Sequence, residues 1–187
     1  MTEERAELPG RLDELQRNTF GYFLYETNTA NGMVPDTTRE GSHASITAIG
    51  LALACYPVGI ERGCISREEA VGRTLTTLRF FAGSEQSRAP NATGYRGFYY
   101  HFLDMDRGRR AWSSELSTID TTFLIAGALA AAIYFDAETP EERELRSLAD
   151  TLYRRIDWVW ALNEGRAVSH GWTPERGFLR YHWTGYN

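Results

Sequence analysis

The feature that most limits what this chain can fold into is an alternation between two kinds of predicted helix. Residues 11–26 carry Leu12, Leu15, Thr19, Tyr22 and Phe23 at helical spacing, with Asp13, Glu14, Gln16 and Arg17 turned outward. Residues 44–56 are apolar all round, and Pro57 and Gly59 are expected to end or kink that helix. The third segment opens with a capping box, Ser66 and Glu69, and sets Val71, Leu75 and Leu78 opposite Arg67, Glu68, Arg73 and Arg79. Residues 117–135 are apolar again beyond Asp120, so that helix should be buried on all sides. The fifth starts at Pro140, a favoured first position, and its stripe runs from Leu145 through Leu152 and Ile156 to Val159 and Trp160.

The connections alternate in step. Those before the apolar helices, residues 28–43 and 83–117, are long and rich in turn-forming and aromatic residues. Those before the third and fifth helices are short. Antiparallel helix hairpins give this pattern when charged helices form an outer ring and apolar ones an inner ring. The long loops then emerge together at the N-termini of the inner helices, and function belongs at that end. The tail from residue 163 stands where a third long loop would, and a sixth, inner helix is expected after it. The expected fold is all-α: part of an (α/α)6 toroid with short β-hairpins in its long loops. Residues 1–187 would be one domain, the N-terminal portion of that toroid, truncated at its C-terminus and left with an open apolar edge.

Counting 20 basic against 25 acidic residues gives a net charge of −5, which argues against a nucleic-acid partner or an anionic-membrane surface. The apolar run from Ile119 to Phe135 is somewhat short for a membrane span and opens with an aspartate. Residues 1–5 are charged with no apolar stretch behind them, so the chain as written is expected to be cytoplasmic, or periplasmic or secreted if its start is incomplete. Two cysteines are too few for a disulfide scaffold, and Cys55 is expected as a buried thiol. The four histidines are dispersed, so no metal site is expected. No phosphate-binding, dinucleotide or esterase-elbow motif occurs, and no cofactor is expected.

Chemistry-bearing residues collect in the long loops and at the inner-helix starts. Asp36, His43, His101, Asp104, Asp106, Glu115, Asp120, His170 and Glu175 lie among Tyr95, Tyr99, Tyr100, Trp112, Trp172, Trp183 and Tyr186. Asp120 falls in the first turn after a Ser117 or Thr118 cap, where free amides and the helix dipole favour a carboxylate. With Glu115 and Trp112 just before it, it reads as the floor of a pocket; a plain helix cap is the competing reading. Ordinary turn chemistry would explain Asp104 and Asp106, Glu175 could be plain surface, and Glu115 could pair with Arg109 or Arg110. Carboxylates among exposed aromatics suit glycoside hydrolysis, in which one acid protonates the leaving oxygen and a second carboxylate acts from the other side.

Five segments, 44–46, 56–63, 97–104, 115–121 and 171–178, together resemble the bacterial glucoamylase-like glycoside hydrolase family, whose characterised members include endo-β-1,2-glucanases. The resemblance implies an (α/α)6 toroid and an inverting hydrolase of β-1,2-glucan or a related β-glucoside, with an oligo- or polysaccharide as its partner. The pocket motifs it points to contain Tyr99, His101, Asp104, Trp112, Glu115, Asp120, Trp172 and Glu175. Glu175, Asp120 and Glu115 are thus the candidate catalytic residues. Tyr99, His101, Asp104, Trp112, Trp172 and Trp183 are the candidate substrate-binding ones. Glu175 is preferred as the acid because Trp172 and Phe178 beside it would raise its pKa. Two other readings stay open: a non-catalytic carbohydrate-binding fragment or half-toroid needing a partner chain, and a phosphorylase or transglycosylase on the same scaffold.

Overall fold

The structure, a computed structural model, describes residues 3–185; Tyr186 lies outside them. Six helices and seven short strands occur among the described residues. Helix α1 (Glu3–Tyr25) leads by a long loop into strand β1 (Ala44–Ser45) and α2 (Ile46–Glu61). A tight turn gives α3 (Arg67–Gly83), whose Ser66 cap accepts from the Glu69 amide, the predicted half of a capping box. Strands β2 (Gly94–Tyr95), β3 (Phe98–Tyr100), β4 (Phe102–Leu103) and β5 (Leu116–Ser117) fill the second long connection. Then come α4 (Thr118–Tyr134), α5 (Pro140–Arg155), α6 (Trp158–Ala161), β6 (Gly171–Thr173) and β7 (Gly177–Phe178).

The two apolar helices, α2 and α4, pack against each other along their length, while α3 and α5 pair in a second layer. Glycine makes the first contact close: a Cβ on Gly127 would stand 2.0 Å from the Gly50 carbonyl oxygen, and one on Gly50 only 2.3 Å from that of Phe123. Helices α3 and α5 are tied to each other at both ends. Arg67 Nε donates to the nearly buried Glu142 at 2.8 Å, and Arg155 Nη2 donates to the Ala82 carbonyl at 2.7 Å. The loop strands form an antiparallel sheet of order β2-β3-β5-β6-β7, beside a separate β1-β4 pair. Strands β1 and β5 run directly into α2 and α4, so the two apolar helices start beside the sheets.

Four expectations need correction. Helix α2 does not stop at Pro57 but runs through it to Glu61; Gly59, two residues on, receives the Phe20 ring of α1, to which a Cβ would come within 2.2 Å. Helix α4 is not buried on all sides. Ile119, Phe123 and Ile133 are 38%, 46% and 81% exposed and form one stripe with Thr122, Ala126 and Ala130. The outer-helix stripe of α1 is likewise open at Leu12 and Leu15, as are Leu51 and Val58 on α2. The fifth stripe breaks at residue 156, because Asp157 turns the chain and caps α6 by accepting from the Trp160 amide at 2.9 Å, which leaves Val159 exposed. Among the described residues no helix is long and apolar enough to cross a membrane.

Candidate active site

The starts of α2 and α4 meet around one carboxylate. Asp120, in the first turn of α4, accepts from Thr47 Oγ1 of α2 at 2.6 Å and from the hydroxyl of its own cap, Ser117, at 2.5 Å. The end of β3 and the start of β5 bring two more groups. Alternation along those strands puts His101 and Glu115 on the sheet face that also carries Ser117. His101 Nδ1 donates to Glu115 Oε1 at 3.0 Å and stands 3.6 Å from Asp120 Oδ2. Gly171, opposite Ser117 on β6, keeps this face open: a Cβ there would sit 3.1 Å from Glu115 Cγ and 2.5 Å from the Leu116 carbonyl.

The electrostatics follow from these contacts. The Glu115 hydrogen bond, aided by the charges of Asp120 and Asp36, raises the His101 pKa against the effect of burial. Burial pushes Glu115 up, but the His101 hydrogen bond, a backbone amide and the nearby charges of His101 and Arg110 outweigh it and leave the carboxyl below its usual range. The pair therefore favours an imidazolium beside a carboxylate.

An aromatic file leads out of this cluster. The His101 ring stacks on Phe102 at 4.0 Å, Phe102 meets Trp112 at 5.3 Å, and Trp112 meets His43 at 4.3 Å. Trp112 is 69% exposed and held at φ +52, a left-handed conformation that costs a side-chain-bearing residue about 1–2 kcal/mol. The turn that holds it is closed by the Ser114 amide and hydroxyl, which both donate to the Ala111 carbonyl. On the other side of the α4 start, Trp183 stacks on His170 at 3.9 Å and its indole donates to Thr118 Oγ1 at 3.1 Å.

The structure thus brings His101, Glu115 and Asp120 together; Trp112 reaches His101 through Phe102, and Trp183 bonds Thr118 in the first turn of α4. The other expected residues lie elsewhere. Tyr99 is fully buried; its ring packs on Phe81, its hydroxyl donates to the Phe81 carbonyl, and burial pushes its phenol up to about 12. Trp172 pairs with Leu116 on the opposite sheet face and is buried in a cluster with Tyr95, Trp160 and Phe178. Asp104 accepts from the amides of Asp106, Arg107 and Arg109, the plain turn role. Glu175 does not have the apolar setting expected of a raised carboxyl: Arg110 donates to both its oxygens and holds it below the usual range. Sequence reasoning missed Thr47 as a partner of Asp120. The available signal was a lone hydroxyl in the first turn of an otherwise apolar helix.

One donor atom each from His101, Glu115 and Asp120 lies within 4.8 Å of the others, close enough to contact one cation. Among the atoms of this cluster, both Asp120 oxygens accept from hydroxyls, those of Thr47 and Ser117, and His101 Nδ1 is bonded to Glu115 Oε1.

No family model matches the chain. It is 25% identical over 190 residues to the exo-β-1,2-glucooligosaccharide sophorohydrolase (non-reducing end) of Parabacteroides distasonis, covering 97% of this chain and 24% of that protein. A solved structure from Bacteroides uniformis, classed by name with the glucoamylases, is 25% identical and superposes with a TM-score of 0.80 over 94% of this chain and 43% of its own. The endo-β-1,2-glucanase of Chitinophaga pinensis, solved with sophorotriose and glucose, is 22% identical with a TM-score of 0.74, covering 92% of this chain and 42% of that one. The chain therefore spans about a quarter of the length of the curated relative it matches, and less than half of these solved ones.

Proposed function

We propose that this chain, which fits the glucoamylase-like glycoside hydrolase family, forms one wall of the active site of a hydrolase of β-1,2-glucan or a related β-glucoside. The observation that carries the reading is the cluster of His101, Glu115 and Asp120 at the joined starts of two apolar helices, with the exposed Trp112 linked to it through the Phe102 ring. Trp112 offers a flat apolar face to a sugar ring. His101 and the carboxylates offer the hydrogen bonds that sugar hydroxyls require.

Asp120 is the proposed base. Two hydroxyls hold its oxygens, and it stands at a helix start where negative charge is favoured. Glu115 and Asp120 approach within 4.8 Å, closer than the roughly 6.5–9.5 Å that an inverting pair keeps for its water. They therefore act from one side, Glu115 fixing His101 while Asp120 orients water. The opposing acid of an inverting mechanism would come from the portion of the relatives' length that this chain does not span, where the second half of an (α/α)6 toroid would lie. Glu175 serves in this scheme as the counter-charge of Arg110.

The test is the chain extended to the relatives' length and assayed on β-1,2-linked gluco-oligosaccharides with and without phosphate. Reducing sugar released without phosphate, and lost about 10²-fold or more in Glu115→Gln, is expected. Products that need phosphate would replace hydrolysis by phosphorolysis. A second reading, a half-toroid that works by pairing with another chain, draws on the open stripe of Ile119, Phe123 and Ile133. Sedimentation of the chain at rising concentration as an unchanging monomer would sink it.

A further inference from the structure

The residues immediately before His101 and Glu115 meet at one buried cation. The Arg110 side chain is 1% exposed. Its Nε donates to the Ser114 carbonyl at 2.6 Å, and its guanidinium carbon lies 4.6 Å from the centre of the Tyr100 ring. Nη1 and Nη2 donate to the two Glu175 oxygens at 2.7 and 3.2 Å, and Nη1 also reaches the Pro90 carbonyl at 3.4 Å. An unpaired guanidinium is costly to bury, and the β6–β7 turn supplies the matching carboxylate. The planar fork matters, because an ammonium could not satisfy the carbonyl, the carboxylate and the ring face at once.

We infer that Arg110, braced by Glu175, is a positioning residue that sets the His101–Glu115 hydrogen bond. It acts through the backbone of Ser114 and the ring of Tyr100, each one residue upstream of a member of the pair. Ser114 also closes the turn that holds Trp112 in its left-handed conformation, so one guanidinium fixes both the acid–base cluster and the exposed aromatic wall. The relevance to catalysis rests on the proposed function; the geometric claim does not.

Hydrogen exchange of the His101 Nδ1 proton, followed by NMR on this chain, tests it. In Arg110→Met the exchange should rise about tenfold, with Glu175→Ala moving the same way by less. A merely structural arginine would lower Tm and leave that proton as protected as before, so unchanged exchange in a folded Arg110→Met overturns the inference. Should Arg110→Met fail to fold, Glu175→Ala decides alone, since its side chain is half exposed on a turn. In the extended protein, Arg110→Lys should lower kcat about tenfold with KM little changed. If the extended wild type cuts no β-1,2-glucan, the proposed function falls and the exchange result still judges Arg110.

Discussion

The starts of α2 and α4 are built to one plan and serve different ends. Each is fed by a two-residue strand whose last residue is a serine cap, Ser45 or Ser117. Ser45 makes no side-chain cap bond, and the first turn of α2 carries no acid. Ser117 accepts from the Asp120 amide and donates to the Asp120 carboxylate. Where α4 supplies the carboxylate, α2 supplies Thr47, the hydroxyl that holds its other oxygen. The difference shows how a repeated strand-to-helix junction diverges, and in the proposed site it has this use: one copy carries the charge and its neighbour steadies it, provided the two helices approach closely.

That closeness gives the largest expected effect. Gly127→Val places a branched side chain where even a Cβ would clash with the Gly50 carbonyl. Thermal or urea unfolding should show a loss of about 3 kcal/mol or failure to fold; a variant as stable as wild type would break the account of the helix pair. Thr47→Val leaves one Asp120 oxygen without its hydroxyl and should cost about 1 kcal/mol in the same assay.

The serines sharpen the comparison directly. Ser117→Ala should cost about 1 kcal/mol, the ordinary worth of a cap, and Ser45→Ala about a few tenths. Equal losses would mean the junctions are alike after all.

The smallest effect is in pH. The raised His101 contributes stability that is fully present below an ordinary histidine pKa and lost as pH rises through its folded value. The lowered Glu115 contributes stability present above an ordinary carboxylate pKa and lost as pH falls through its folded value. The pair is therefore worth most between those two limits. With both side chains about a third exposed, the gain is roughly 0.5 kcal/mol or less. Glu115→Gln should flatten the alkaline side of a stability–pH curve, and an unflattened curve would assign that dependence elsewhere.

Much of the arrangement was legible in the chain. The alternation of apolar and amphipathic segments located α2 to α5, and the Ser117 cap located Asp120. What was not legible depends on neighbours. The apolar run of α4 reads the same whether a partner covers its outer stripe or not, so Ile133 was expected inside and is 81% exposed. Glu175 sits beside aromatic residues in sequence, yet its setting is decided by Arg110, 65 positions away. Tyr99 and His101 share a strand face by alternation. Only the packing of Phe81 over Tyr99 shows that one is sealed in the core and the other is not. Arg110 itself looks like one more loop arginine until its carbonyl, carboxylate and ring partners are seen together.

The central claim is that the carboxylate shared between the two helix starts performs the chemistry. The most direct measurement is kcat on β-1,2-glucan for the extended protein and its Asp120→Asn variant, which keeps the size and most hydrogen bonds of the site. A fall of about 10³-fold with the fold intact is predicted. A variant that retains the wild-type rate would contradict it.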